Sequence, residues 1–258
     1  MTRAVAAAVL FGILFCGRTD AAGGGVEPPS ADVLFILDLS SSLTLAQRLR
    51  SPVVAATILE MLPKKAAFAV YILESSMSDS APVLSDRVPN PVTTTQTIEA
   101  RRLIGGWKDK LQKTVDEMLD AKNREKQKAL TSCYVKSAAF ASNYFRTRPP
   151  SLKRTLVWIG DLIEDCREPD FRAFRLTGPR AGGATLSPGL VKSLPSLKGV
   201  EVVAAILPRQ ATEARREVEP DAVIAYWRDL ASHFGMPADQ FRIGTPEALG
   251  LVDNPLAR

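Results

Sequence analysis

The sequence predicts an α/β fold, a doubly wound and mostly parallel sheet with helices on both faces. Short continuous apolar runs, such as residues 33–37 and 200–207, are typical of strands buried on both faces. These runs alternate with longer segments whose apolar residues recur at helical spacing, and strands that alternate with helices indicate a parallel sheet. A chain of 258 residues that is 46 % apolar and 24 % charged has the composition of an ordinary soluble globular domain.

The individual elements follow from the same patterns. Buried strands are predicted at 33–37, 66–73, 154–160 and 200–207, with a short edge strand at 81–84 and a last strand at 241–243. Helices are predicted at 43–62, 98–130, 134–145 and 222–234, with a short helix at 191–197. Residues 165–189 are rich in glycine and proline and are predicted to form a loop.

The first 22 residues have the layout of a secretory signal peptide. A positive start at Arg3 precedes an apolar run over residues 4–15, which is shorter than the ~20 residues of a membrane span. We therefore expect an exported protein, periplasmic or secreted, with a flexible lead-in at 23–31. A lipoprotein anchored through Cys16, or an uncleaved anchor, is the alternative, and the protein would contact a membrane only in those cases. The main domain is predicted at 32–244 and a tail at 245–258.

The charge of the chain bears on whether nucleic acid is a partner. Its formal net charge is +5, and the basic residues are spread along the sequence rather than clustered, apart from the stretch at 122–128. Such a balance reflects solubility more often than recognition, and no nucleic-acid-binding motif is present. We therefore expect no nucleic-acid partner.

Two predicted buried strands end in an aspartate. Asp38 follows the strand at 33–37, and Asp161 follows the strand at 154–160. Ligands of open parallel sheets bind beyond the carboxyl ends of the strands, so both acids are expected at the binding edge. Ser40 and Ser42 add hydroxyls at alternate positions. Carboxylate and hydroxyl oxygens form a hard site that suits Mg²⁺, Mn²⁺ or Ca²⁺.

These residues resemble the von Willebrand factor type A family and its metal-ion-dependent adhesion site. Asp38, Ser40 and Ser42 match the Asp-x-Ser-x-Ser motif that follows the first strand of that family. Asp161 matches the aspartate after a later strand, and Thr131 is the candidate for the threonine between them. The resemblance covers residues 32–243. It implies a bound divalent metal, most simply Mg²⁺, with an open position for an Asp or Glu carboxylate of a partner protein.

The sequence departs from the family pattern at three places. Leu130 stands where a small residue usually precedes the threonine, and Leu162 stands where glycine often follows the last aspartate. The helix at 98–130 is longer than the family pattern and is predicted to be an insertion. Each match also has a plainer alternative, since the serine loop and Thr131 are good helix caps and Asp161 is a common kind of solvated strand end.

Two cysteines remain after the predicted signal peptide, Cys133 and Cys166. An even count in an oxidising compartment favours a disulfide, although two separate buried thiols are the alternative. If the resemblance holds, both cysteines flank the metal site, on the loops that carry Thr131 and Asp161. We predict that they are bonded and that the bond fixes these two loops.

The sequence predicts a binding module rather than an enzyme. His233 is the single histidine of the chain and lies in an amphipathic helix, which leaves no convincing general base. No glycine-rich phosphate loop follows the first strand. The alternatives are a metal-dependent phosphoesterase or hydrolase that uses the same oxygen site, or a metal-free scaffold in a cell-envelope or secretion assembly.

Overall fold

A computed structural model describes residues 28–40, 43–73, 77, 80–125, 133–149, 151–163, 192, 194–207 and 220–251. The strands in this part of the chain are β1 Ala31–Leu37, β2 Ala67–Ile72, β3 Leu84–Arg87, β4 Lys153–Gly160, β5 Val200–Ile206 and β6 Phe241–Gly244. The α-helices are α1 Leu45–Met61, α2 Thr94–Glu125, α3 Tyr134–Arg146 and α4 Pro220–His233. A 3₁₀ turn at Ala238–Gln240 leads into β6.

The strands form one sheet in the order β3-β2-β1-β4-β5-β6. Neighbouring strands are parallel except at one edge, where β3 runs antiparallel to β2. The chain extends the sheet outward from β1 in one direction and from β4 in the other, so the order of strands reverses between β1 and β4. This arrangement confirms the predicted doubly wound, mostly parallel α/β fold.

Helices cover both faces of the sheet because alternate residues of each strand point to opposite sides. In β1, Leu34 and Ile36 join a buried cluster with α3 and α4. Val33, Phe35 and Leu37 join a second cluster with α1 and α2 on the other face. The domain is therefore a three-layer sandwich with a core on each side of β1.

The first helix begins at a capping box. Thr44 is the N-cap of α1, its side chain accepts from the backbone N–H of Gln47, and the Gln47 side chain accepts in return from the Thr44 backbone. The alternative that Asp38, Ser40 and Ser42 serve as the cap of this helix is therefore wrong. The amide of Gln47 also donates to the carbonyl of Leu207 at 3.1 Å, which ties α1 to the end of β5.

The long helix α2 belongs to the core. It spans 32 residues, and its Trp107 ring packs edge-on against Phe68 at a centroid distance of 4.8 Å. The indole N–H of Trp107 donates to Asp86 on β3 at 3.0 Å. The buried side of α2 includes Trp107, Leu111, Val115 and Leu119. The segment predicted as an insertion at 98–130 thus covers one face of the sheet over its described part, which ends at 125.

Most predicted elements lie within a few residues of the observed ones, and two predictions need correction. The edge strand predicted at 81–84 lies instead at Leu84–Arg87, where only Leu84 is buried. Residues 194–197 of the short helix predicted at 191–197 are not helical. The predicted loop at 165–189 and the segments 1–22 and 23–27 lie outside the described residues. His233 is exposed in the last turn of α4, in agreement with a predicted surface or half-buried position.

Candidate metal centre

The two predicted aspartates leave adjacent strands at the same edge of the sheet. Leu37 of β1 is paired with Ile159 of β4, and the backbone N–H of Asp38 donates to the Ile159 carbonyl at 2.8 Å. Asp161 comes directly after Gly160, the last residue of β4. Since the strand order reverses between β1 and β4, both acids lie at the topological switch point, where open α/β sheets bind their ligands.

Backbone hydrogen bonds hold this edge in register beyond the strands themselves. The N–H of Leu73 donates to the carbonyl of Leu37 at 2.7 Å, and the N–H of Leu207 donates to the carbonyl of Gly160 at 2.7 Å. Hydrogen bonds thus link the strand ends across the sheet, in the spatial order β2, β1, β4 and β5. Side chains placed on rigid strand ends are held more precisely than side chains on free loops.

Both carboxylate oxygens of Asp38 accept hydrogen bonds. The backbone N–H of Ser40 donates to Oδ1 at 2.7 Å, and the hydroxyl of Tyr134 donates to Oδ2 at 2.8 Å. Asp38 has no exposed surface, and Ser40 is only 2 % exposed. The first half of the predicted centre is therefore a buried carboxylate whose orientation is fixed from two sides.

Gly160 makes room for this arrangement. It follows Leu156 and Trp158 on the side of β4 that faces α3, where a side chain would project toward Tyr134. A Cβ added at Gly160 would lie 2.1 Å from the Tyr134 hydroxyl oxygen and 2.5 Å from the Cβ of Asp38. Only glycine at this position lets the tyrosine hydroxyl reach the aspartate.

Tyr134 is the residue that the sequence reasoning missed. It is the first residue of α3 and has no exposed surface. Burial raises the pKa of its hydroxyl well above the usual value, and the negative charges of Asp38 and Asp161 raise this pKa further. The hydroxyl stays protonated and lies in the field of both acids. Its sequence signal was weak, because an aromatic residue in a helix is usually read as core packing.

Asp161 and the residue after it form the second half of the centre. Asp161 is 2 % exposed, and its Oδ1 accepts from the backbone N–H of Ile163 at 3.0 Å. Leu162 has φ of +54°, a left-handed conformation that disfavours residues with a Cβ. Its N–H donates to the Tyr134 hydroxyl at 3.3 Å, and its carbonyl accepts from the indole of Trp227 at 2.7 Å. These bonds hold the strained turn in place.

The structure therefore brings together three of the five predicted metal ligands. Asp38, Ser40 and Asp161 lie at one edge of the sheet, whereas Ser42 and Thr131 lie outside the described residues, so their roles stay predictions. Cys133 is 2 % exposed and occupies the N-cap position of α3. Cys166 lies outside the described residues, and the Cys133–Cys166 disulfide stays a prediction.

The chemistry of these residues fits a small divalent cation. Two buried carboxylates lie at adjacent strand ends, and their negative charges add to the effect of burial in raising the pKa of Tyr134. Buried charges are costly unless a counter-charge or hydrogen bonds compensate them. Oxygen donors are the ligands that Mg²⁺ and Ca²⁺ prefer. Within the described part of the chain, no three His, Cys, Asp or Glu side chains form a metal-binding group. The candidate centre pairs two carboxylates with the predicted hydroxyl ligands.

Another buried aspartate lies at the opposite end of β1. Asp32 accepts from the hydroxyl of Tyr144 at 3.1 Å and is paired with the guanidinium of Arg148 at 3.0 Å. The same guanidinium lies 4.7 Å from the centre of the Tyr144 ring. Burial raises the pKa of Asp32, and the charge of Arg148 opposes that shift. The acid at this edge is compensated by an arginine of the chain itself.

The fold and the acidic edge define a doubly wound α/β domain with a candidate cation site at its switch point. No family model matches this chain, and no curated protein matches it either. The chain is similar to a solved von Willebrand factor type A protein from Catenulispora acidiphila, with a TM-score of 0.46 and 13 % identity over 80 % of this chain. It spans 37 % of that protein.

Two further solved structures are similar over a larger share of their own length. One is the conserved hypothetical protein BatB from Bacteroides thetaiotaomicron, with a TM-score of 0.42, 11 % identity and coverage of 85 % of this chain and 93 % of that one. The other is an aerotolerance-related membrane protein from Bacteroides fragilis NCTC 9343 with multiple mutations to serines, with a TM-score of 0.41, 12 % identity and coverage of 85 % and 94 %. At these identities and TM-scores, the fold class rests on the strand order and register of this chain.

No described helix combines the length and the apolar character that a membrane crossing requires. The longest described helix, α2, is polar along most of its surface.

Proposed function

We propose that this protein is an exported binding module that holds a divalent cation at the edge formed by β1 and β4, and that it binds a partner rather than catalysing a reaction. Asp38, Ser40 and Asp161 would hold the cation together with Ser42 and Thr131. Mg²⁺ is the proposed ion, with Mn²⁺ or Ca²⁺ as substitutes. A carboxylate of a partner protein would complete the shell of ligands.

One observation carries the proposal. Asp38 and Asp161 lie 123 residues apart in the sequence but leave adjacent parallel strands at the point where the strand order reverses. Both acids are buried, and after burial itself their charges are the next largest causes that raise the pKa of Tyr134. A buried pair of acids at a topological switch point is the arrangement that a cation would stabilise.

The residues of the chain have separable roles in this function. The two aspartates supply negative charge, and the Ser40 backbone fixes the orientation of Asp38. The hydroxyls of Ser40, Ser42 and Thr131 would supply neutral oxygens, which add no further negative charge around the ion. A bound divalent ion supplies an electrophilic position for an Asp or Glu side chain of the partner. The proposed Cys133–Cys166 disulfide would hold the loops around that position.

Metal binding by single-residue variants tests the proposal. Mg²⁺ should raise the melting temperature of the wild-type protein, because a ligand that binds the folded state stabilises it. Asp38→Asn and Asp161→Asn should abolish this response. Asp32→Asn is the matched control, since it changes a buried aspartate at the other end of the same strand and should keep the response. Equal responses in Asp38→Asn and the wild type would contradict the proposal.

Partner recognition is tested with peptides. An array of short peptides that carry Asp or Glu, with Asn or Gln counterparts, should show binding to the protein in Mg²⁺ that disappears in EDTA. Asp38→Asn protein should not bind in either condition. Hydrolysis of phosphate-ester substrates in Mg²⁺ that depends on Asp38 would instead favour a metal-dependent hydrolase.

A further inference from the structure

We propose that Tyr134 is a positioning residue of the metal centre, whose hydroxyl fixes Asp38 relative to the loop that carries Asp161. This inference rests on the proposed function, since it concerns the same cation. Tyr134 would not touch the ion. It would set the distance between the two acids that hold it.

The hydroxyl of Tyr134 joins both halves of the centre. It donates to Oδ2 of Asp38 at 2.8 Å and accepts from the backbone N–H of Leu162 at 3.3 Å. A phenol has one proton to donate, and the Leu162 N–H is donated to its oxygen, so the proton is directed toward Asp38. Leu162 is the residue directly after Asp161. One side chain on α3 thereby bonds the first acid and the loop of the second.

The ring of Tyr134 is held in place on several sides. It packs edge-on against Trp158 and Trp227, at centroid distances of 6.0 Å and 5.9 Å. The indole of Trp158 donates to the Ser137 hydroxyl at 3.0 Å, and that hydroxyl donates to the Tyr134 carbonyl at 2.7 Å. A side chain fixed in this way can act as a rigid spacer between two strand ends.

Loss of the Tyr134 hydroxyl should lower the affinity of the protein for metal. Residues that orient metal ligands without touching the ion commonly contribute tenfold to hundredfold in affinity. Without the hydroxyl, Asp38 loses a donor on Oδ2, and the turn at Leu162 loses one of the bonds that hold its left-handed backbone. Both acids would then sample more orientations, and the free protein would match the geometry of the ion less often.

The chain contains a matched control for this effect. Tyr144 lies on the same helix, and its hydroxyl donates to another buried aspartate, Asp32, near the start of strand β1, at 3.1 Å. Tyr144→Phe removes the same kind of tyrosine–aspartate bond from α3, but at the edge of the sheet away from the proposed centre. The comparison therefore separates a loss of helix-to-strand attachment from a loss at the metal site.

The experiment measures Mn²⁺ and Mg²⁺ affinity by isothermal titration calorimetry for the wild type, Tyr134→Phe, Tyr144→Phe and Asp38→Asn. We expect Tyr134→Phe to weaken binding by about tenfold to hundredfold. Tyr144→Phe should leave the affinity at the wild-type value, even if it lowers the melting temperature as much. Wild-type affinity in folded Tyr134→Phe would overturn the role of Tyr134 while leaving the proposed function standing. No metal binding by the wild type would overturn both.

A second measurement needs no variant at Tyr134. The chain has four tyrosines, so wild-type protein labelled with ¹³C at tyrosine Cζ gives a small set of signals, and Phe variants of the other three assign them. Titration with Mg²⁺ should shift the Tyr134 signal, because its hydroxyl bonds a metal ligand, and should leave the Tyr144 signal in place. A Tyr134 signal unchanged at saturating Mg²⁺ would overturn the inference.

Discussion

Gly160 lies so close to Asp38 that a Cβ on the glycine would be 2.5 Å from the Cβ of the aspartate. The same Cβ would lie 2.1 Å from the hydroxyl oxygen of Tyr134. The last residue of β4 therefore controls whether the hydroxyl of α3 can reach the acid after β1. A single backbone position thus links the packing of the sheet to the geometry of the candidate site.

Gly160→Ala should destabilise the protein by about 1–3 kcal/mol or more, because the atoms that it meets are fixed in a packed core. Gly106→Ala is the matched control. Nothing lies within 4 Å of a Cβ at Gly106, which is in the middle of α2. That change should stabilise the protein by about 0.5–1 kcal/mol, as expected for Gly to Ala in a helix. Urea denaturation measures both, and equal effects of the two changes would contradict the packing described for Gly160.

The left-handed backbone at Leu162 should make a glycine variant more stable than an alanine variant, the reverse of the usual order. Both Leu162→Ala and Leu162→Gly remove a fully buried side chain and should destabilise the protein. Because φ is +54°, the glycine variant should be the more stable of the two by about 1 kcal/mol. Thermal or urea denaturation of the pair tests this order, and an alanine variant more stable than the glycine variant would argue against the strained turn.

Tyr144 should make the protein sensitive to alkaline pH. Burial and the charge of Asp32 raise the pKa of this tyrosine from 10.0 to about 12 in the folded state. Between these values the unfolded state loses the proton first, so the free energy of unfolding falls as pH rises. Tyr144→Phe lacks this contribution, and its stability should fall less between pH 10 and 12. Parallel curves of stability against pH for the two proteins would show that Tyr144 titrates normally.

The predicted disulfide has a direct chemical test. If Cys133 and Cys166 are bonded in the exported protein, alkylation without reduction should label neither residue, and both should be labelled after reduction. Mass spectrometry of the peptides measures the result. The bond closes a loop of 32 residues, and the chain-entropy account assigns roughly 3–4 kcal/mol to such a loop. Labelling of both thiols without reduction would show that the predicted disulfide is not formed.

The strands could be predicted well because each is marked by a local pattern. The continuous apolar run of β1 and its following aspartate placed Asp38 at a strand end, and the same pattern placed Asp161. The edge strand was misplaced because only Leu84 of β3 is buried. An edge strand with polar, exposed residues carries no apolar run that a sequence pattern can detect.

The contacts that orient the site could not be predicted, because they depend on three elements meeting in space. Tyr134 bonds Asp38 across 96 residues of sequence, and the space for its hydroxyl comes from the missing side chain of Gly160. The sequence shows that Leu162 departs from the family pattern. Its positive φ and its two hydrogen bonds became apparent only in the structure.

Anomalous diffraction from crystals soaked in Mn²⁺ can show whether a cation binds between β1 and β4, since it locates the ion without relying on a change in stability. We expect a strong anomalous peak between the ends of β1 and β4, within coordination distance of oxygen atoms of the Asp38–Ser40 loop and beside Asp161. Saturating Mn²⁺ that leaves this edge without a peak, in a lattice where it is open to solvent, would contradict the proposed cation site.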